Sequence, residues 1–190
     1  MRGMNQQVRL ASKREWASPF TADDFLHMLE LGAFEGMRAE LVRGGIEKMM
    51  PADWSHGELN ARLVGLLFPL VRAAGAKVGT DVVIHIDAHT VRGFDIAILR
   101  PGAVPQKALR GEDVLFAIEV AETTQKRDLG EKRDDYGRAG IPAYWVVDIV
   151  AQVTHCFGLD ASGSAYGEAM IVPFGEPMDV PGLGGRITLD

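Results

Sequence analysis

Apolar positions along the chain alternate between helical and strand spacing, and the switches between them outline the elements. Phe20-Thr21-Ala22-Asp23-Asp24 reads as a helix start, with Thr21 as N-cap and two acids placed to meet the helix dipole. This helix is expected to run to about Leu31 and stop at Gly32. Ala39–Val42 and Ile46–Met50 flank Arg43-Gly44-Gly45, which predicts a hairpin. Ser55-His56-Gly57-Glu58 spells a capping box, with Ser55 as N-cap and Glu58 reaching back. A long helix follows from the spacing of Leu59, Leu63, Leu66, Leu67 and Leu70, and Pro69 should bend or end it.

Val78–Ile86 and Phe94–Leu99 read as strands, and residues 101–113 as a loop rich in Pro and Gly. Val114–Ala121 is almost continuously apolar, the pattern of a strand covered on both faces. Thr124 is placed to cap a charged helix from about Gln125 to Arg138, closed by Gly140. Ala143–Ile149 and Gln152–Phe157 read as further strands, and the remainder as short strands and turns. Residues 1–19 lack periodicity and are expected to form an N-terminal arm, poorly ordered or bound to a partner. Residues 20–190 then make a single domain. The order of elements predicts a mixed sheet with helices packed on it, α/β or α+β in class.

Composition narrows the setting. Of 190 residues, 47% are apolar and 24% charged, ordinary for a globular chain with its own core. Cys156 is the sole cysteine, so no intrachain disulfide can form and a reducing cytoplasm is the expected location. The N-terminus lacks the apolar stretch of a signal peptide, and no apolar run approaches the roughly 20 residues that cross a bilayer. No membrane association is therefore expected. The formal net charge of −6 counts against a general nucleic-acid binder, because phosphate contacts require Lys and Arg. It leaves room for an enzyme whose cleft has only a local basic rim; Arg92, Arg100, Lys126 and Arg127 are the candidates, with solvated charge as the plainer reading of each.

The candidate chemistry lies in two acids set inside apolar strands: Asp95 in Gly93-Phe94-Asp95-Ile96-Ala97 and Glu119 in Ala117-Ile118-Glu119-Val120-Ala121. Alternation puts each acid on a face with alanines, which leaves space around the carboxylate. Two such groups in one desolvated pocket repel, and a hard divalent cation relieves that repulsion. Buried salt bridges to Arg or Lys, or strand ends reaching water, are the alternatives. After Glu119, the residues Asp128, Lys132 and Tyr136 recur at four-residue spacing and share one helix stripe. Lys132 could lean over the Glu119 pocket, or it could form an ordinary surface pair with Asp128. His85, Asp87 and His89 are spaced like metal ligands but alternate like the exposed side of a strand and its turn. Tyr144 and Trp145 read as core or dimer surface.

The stretch Ile118-Glu119-Val120-Ala121-Glu122-Thr123-Thr124, the residues Asp128, Lys132 and Tyr136, and Ala139-Gly140-Ile141-Pro142-Ala143-Tyr144-Trp145-Val146-Val147-Asp148 together resemble the Uma-two family of restriction endonucleases. That family lies within the PD-(D/E)XK nuclease superfamily. Glu40-Leu41-Val42-Arg43-Gly44, then His56, then Phe94-Asp95-Ile96 follow in the family's order, so the resemblance spans about Phe20 to Phe157. It implies a restriction-endonuclease-like core. It also implies a metal site of Asp95, Glu119 and the Val120 carbonyl, with Glu40 as the upstream acid and Lys132 as a catalytic lysine moved from strand to helix. His56 and Tyr136 become candidates for water or phosphate contacts. Phe94 replaces the family superfamily's usual proline, Ala121 stands where its strand lysine would be, and Glu122 replaces a common serine.

The expected function is Mg²⁺- or Mn²⁺-dependent hydrolysis of phosphodiester bonds in nucleic acid, DNA first, by a homodimer. A nuclease-fold binding or scaffolding protein without robust turnover, and a hydrolase of small phosphoesters, are the alternatives.

Overall fold

One strand with three neighbours but only two edges organises the sheet. In the computed structural model, which describes residues 19–49 and 53–190, β3 (Lys77–Asp87) and β4 (Thr90–Leu99) pair antiparallel, from Lys77 opposite Leu99 to Asp87 opposite Thr90. The other edge of β4 is divided. Near its start it meets β1 (Arg38–Val42), with Leu41 opposite Val91, and towards its end it meets β5 (Val114–Ala121), from Ile96 opposite Ile118 to Leu99 opposite Val114. Between these contacts, around Gly93 and Asp95, that edge is paired with no strand among the described residues.

Among the described residues the sheet has eight strands. β2 (Gly45–Met49) lies outside β1, and β6 (Ala143–Asp148), β7 (Val153–Gly158) and β8 (Met170–Pro173) continue outward from β5. Only β5 and β6 run parallel; β9 (Pro177–Val180) and β10 (Gly185–Thr188) form a separate hairpin. The mixed sheet with flanking helices is the class expected from the sequence. The proposed arm over residues 1–19 lies outside the described residues but for Pro19, as does Met50 at the end of the expected second hairpin strand. The β1–β2 turn takes the left-handed conformation at Arg43 (φ 50°) and Gly44 (φ 81°), a pair that matches the twist of a two-residue hairpin.

Helix α1 (Ala22–Glu30) starts as predicted. Thr21 Oγ1 accepts from Asp24 N–H, and the Asp24 carboxylate accepts from Thr21 N–H in return. Its Phe25 covers Leu41 and Val91 where β1 meets β4. Helix α2 (Trp54–Ala73) lays Leu59, Leu63, Leu67 and Val71 across one face of the sheet, against Ile96, Ile98, Phe116, Ile118 and Trp145. The opposite face buries Ala97, Ala117, Ala121, Tyr136, Tyr144 and Val146. Among the described residues no helix is long and apolar enough to cross a membrane.

Local details depart from expectation in three places. The cap of α2 is Asp53, whose carboxylate accepts from His56 N–H at 3.0 Å; Ser55 lies inside the first turn and donates to Asp53. With Asp53 at the cap, the third helical position is His56, so no Ser55–Glu58 box can form. Pro69 ends nothing: it sits inside α2, which continues to Ala73. The charged helix after β5 is not continuous. A short α3 (Gln125–Arg127) widens into a π turn over Asp128–Lys132 before α4 (Arg133–Arg138). Thr124 gives its hydroxyl to the Asp128 carboxylate and caps no backbone N–H. Tyr144 and Trp145 settle as core: every residue of β6 is buried, between β5 and β7, so this strand offers no surface to a second copy.

Candidate metal centre and cleft

The gap in the edge of β4 leaves backbone groups without strand partners, and charged side chains fill the vacancy. Beyond the Ile96–Ile118 pair the β4–β5 ladder stops, and Val120 N–H donates to Asp95 Oδ2 at 2.9 Å. On the β1 side, Gly93 N–H donates to Glu40 Oε1 at 3.0 Å. Gly93 carbonyl oxygen accepts from Lys132 Nζ at 3.0 Å, and Tyr136 Oη lies 3.0 Å from it. Asp95, Glu40, Lys132 and Tyr136 thus meet because one strand changes neighbour at this point.

Glu119 comes from β5, on the face that also holds Ala117 and Ala121. Its Oε1 accepts from Lys132 Nζ at 2.9 Å and from Tyr136 Oη at 2.7 Å. Asp95 Oδ2 is also 3.1 Å from His56 Nε2, and Arg38 lies 3.6 Å from Oδ1. The π turn brings Asp128, 1% exposed, and Lys132, 2% exposed, to the same centre. A cleft of about 370 Å³ opens here, lined by Asp95, Glu119, Val120, Asp128, Lys132 and His56, with Arg38, Lys48 and Arg127 as its other cations.

Burial and charge split the two acids electrostatically. Burial alone would raise the Asp95 carboxyl, but the His56 hydrogen bond, the Lys132 charge and the Val120 N–H hold it well below the usual carboxylate range. Burial pushes Glu119 well above that range; Asp95 and Asp128 add to the shift while Lys132 and Tyr136 oppose it. Burial would lower Lys132, yet Glu119, Glu40 and Asp128 outweigh it and hold the ammonium firmly charged. The hydrogen bond to Asp95 raises His56 above its ordinary value, against burial. Neighbouring acids pushed apart in this way are a common mark of a functional centre.

A hard divalent cation suits the donors present. Among the described residues, no hydrogen bond reaches Asp95 Oδ1 or Glu119 Oε2, so each carboxylate keeps one oxygen for another partner. Asp128 Oδ1 is buried and also without a hydrogen bond. Among the described residues no three His, Cys, Asp or Glu side chains converge as a complete ligand set. Two carboxylates, a backbone carbonyl and water are enough for Mg²⁺, which keeps several waters and seldom occupies an all-protein cage.

A family model described as "Putative restriction endonuclease", Uma2, matches residues 22–190. The chain belongs to the Uma2 family. The match runs past Phe157 to the last residue, so the short C-terminal strands are part of the family's domain. Among solved structures, a "putative nuclease" from Anabaena variabilis has the same fold, at TM-score 0.73 and 16% identity, over 90% of this chain and 95% of that one. No curated protein matches.

Within this Uma2 domain the sequence-derived candidates fall into two groups. Asp95, Glu119, Val120, Lys132 and His56 line the cleft. Glu40 and Tyr136 lie behind it: Glu40 is 3% exposed and bound to cations on both oxygens, while Tyr136 is fully buried, its ring against Phe94 and its hydroxyl on Glu119. Of the proposed basic rim, Arg127 lines the cleft, Lys126 lies on a neighbouring hollow, and Arg100 is exposed elsewhere. Arg92 is a correction. It is 1% exposed, held by Asp135 at 2.7 Å and Glu40 at 3.1 Å, and cannot serve as rim. The apolar residues around Arg92 in its strand were a cue that it would be buried and need acids, though not a cue to which acids. Arg38 and Lys48 carried no comparable signal. His85 is half-buried, Asp87 ends β3, and His89 lies in the β3–β4 turn, where its N–H donates to Asp87. Burial pushes the Cys156 thiol up to about 12, so it is a packed, unreactive side chain.

Proposed function

We propose that this Uma2 domain is a divalent-metal-dependent nuclease cutting phosphodiester bonds, with DNA the first substrate to test. One observation carries the reading: Asp95 and Glu119, from neighbouring strands at the break in the β4 edge, line one cleft with Lys132, and among the described residues each has one oxygen that takes no hydrogen bond, Asp95 Oδ1 having only Arg38 3.6 Å away.

Asp95, Glu119 and the Val120 carbonyl would hold Mg²⁺ or Mn²⁺. Such a cation polarises the phosphate and acidifies water at neutral pH. The protein's own groups do the rest. Val120 N–H fixes the Asp95 carboxylate, so its second oxygen keeps a constant aim. Lys132 places a permanent positive charge beside Glu119, suited to steadying charge that develops on phosphorus. Arg38, Lys48 and Arg127 place cations at the cleft where phosphate oxygens could meet them, Arg38 also being held by Asp81 at 2.6 Å. His56, paired with Asp95, stands at the wall where it can meet a phosphate oxygen or a water.

A quieter protein that binds without turnover is favoured by one observation: the Lys132 ammonium already donates to Glu119 and the Gly93 carbonyl and is ion-paired with Glu40 at 3.2 Å. An assay separates the two. Wild-type chain is incubated with plasmid, linear duplex, single-stranded DNA and RNA, in Mg²⁺ or Mn²⁺. Cleavage of at least one substrate is expected, stopped by chelation and absent in Asp95→Ala. Cleavage that persists in Asp95→Ala defeats the assignment, and none by wild type leaves the binding protein. Homodimerisation belongs to the same reading through the family alone, because β6 is interior. A sedimentation mass of one 20.6 kDa chain would remove it.

A further inference from the structure

We infer that Glu40 is a positioning residue for Lys132, locked by Arg92, and not a ligand of the metal. The inference rests on the nuclease reading above for its activity arm and on geometry alone for its metal arm.

Both oxygens of Glu40 are occupied by protein. Oε1 accepts from Gly93 N–H at 3.0 Å and lies 3.2 Å from Lys132 Nζ; Oε2 accepts from Arg92 Nη1 at 3.1 Å. Glu40 is buried and is absent from the cleft wall, unlike Asp95 and Glu119. To reach a cation it would have to give up a fully buried guanidinium and the Gly93 N–H, leaving Arg92 to Asp135 and that N–H without an acceptor. That exchange is strongly unfavourable. Arg92 is in turn fixed by Asp135 at 2.7 Å, so charges alternate through the interior from Asp135 to Arg92, Glu40, Lys132 and Glu119.

The three partners of Lys132 are not equivalent. Glu40 and the Gly93 carbonyl lie behind the cleft, and only Glu119 lines it. When Glu119 turns to a cation, the N–H it releases is on the cleft side, while the hydrogen bond to Gly93 and the ion pair with Glu40 hold the ammonium from behind. Glu40 therefore sets the aim of the one proton that becomes available to a water or phosphate oxygen. A misplacement of about 1 Å in such a group can cost roughly a hundredfold in rate.

The test uses full-length Glu40→Gln, which preserves shape, together with Lys132→Met and the double variant. Mn²⁺ affinity is measured by calorimetry and cleavage by kcat and KM. We expect Mn²⁺ affinity within about twofold of wild type, kcat lower by about 10- to 100-fold with KM unchanged, and no further loss when Glu40→Gln is added to Lys132→Met. Arg92→Lys, which keeps the charge but loses the fork, should show the same pattern more weakly. Mn²⁺ binding weakened tenfold or more by Glu40→Gln overturns the inference, as does an equal kcat loss in both backgrounds. If wild type cuts nothing, the nuclease reading falls, and the Mn²⁺ titration still decides whether Glu40 is a ligand.

Discussion

Arg92→Ala is expected to destabilise the fold by about 3–5 kcal/mol, a drop in melting temperature on the order of 10 °C. The side chain is fully buried, and its removal leaves Glu40 and Asp135, both also buried, without their shared cation. Glu40 then keeps Lys132 and Asp135 keeps the half-exposed Arg138, but each loses its buried guanidinium partner and must recruit water or take up a proton as the chain folds. A matched control is Arg186→Ala. Arg186 also forms a close pair, at 2.6 Å to Asp179, but both partners are exposed, so its loss should cost less than about 1 kcal/mol. Thermal and urea denaturation of the two variants measure the contrast. Equal stability losses would mean that the Arg92 network is not desolvated as described.

Asp95→Asn should separate the metal from the scaffold. The amide oxygen of asparagine can still accept from Val120 N–H, so the break in the ladder stays bridged and the melting temperature should move little. Alanine at this position would instead strand that buried N–H, at a cost of about 1–3 kcal/mol. What asparagine loses is the negative charge facing the cleft. Mn²⁺ affinity should fall by at least tenfold, and cleavage by about 10²–10³-fold, the size seen when a focused electrostatic contact is removed. Chelating the metal from wild type should produce the same loss of cleavage without further unfolding. A variant that binds Mn²⁺ as well as wild type would place the cation elsewhere.

The sequence pattern located these residues more reliably than it located their partners. Asp95 and Glu119 stood out because carboxylates are rare inside runs such as Phe94–Leu99 and Leu115–Ala121. Both appear in the cleft wall, and the family match covers the domain expected around them. The four-residue spacing of Asp128, Lys132 and Tyr136 correctly put them on one side of one segment. It could not reveal the π turn, whose extra residue per turn lets Asp128, Lys132, Asp135 and Tyr136 all face inward. Nor could it choose between Asp53 and Ser55 as the cap of α2, since both residue types serve and only backbone geometry decides. The role of Arg92 was hidden for a different reason. Its partners lie 52 and 43 residues away, and strand periodicity says nothing about which distant acid will close on a buried cation.

The divided edge of β4 also bears on how the chain becomes a single cooperative unit. Strands β3 to β6 are near one another in sequence order, whereas β1 reaches the centre from the other side and meets β4 at one residue pair. That small contact carries Glu40, the acid that neutralises Arg92 and helps neutralise Lys132. Until the N-terminal hairpin docks, Arg92 has only its acids on the far side, Asp135 and Glu131, and Lys132 keeps Glu119 without Glu40, so the remaining sheet gains less by closing over them. Docking and closure are therefore mutually dependent, which favours an all-or-none transition over a stable sheet with a loose hairpin. A seam that looks like the weak point of the sheet is, on this account, the place where its two parts enforce each other's folding.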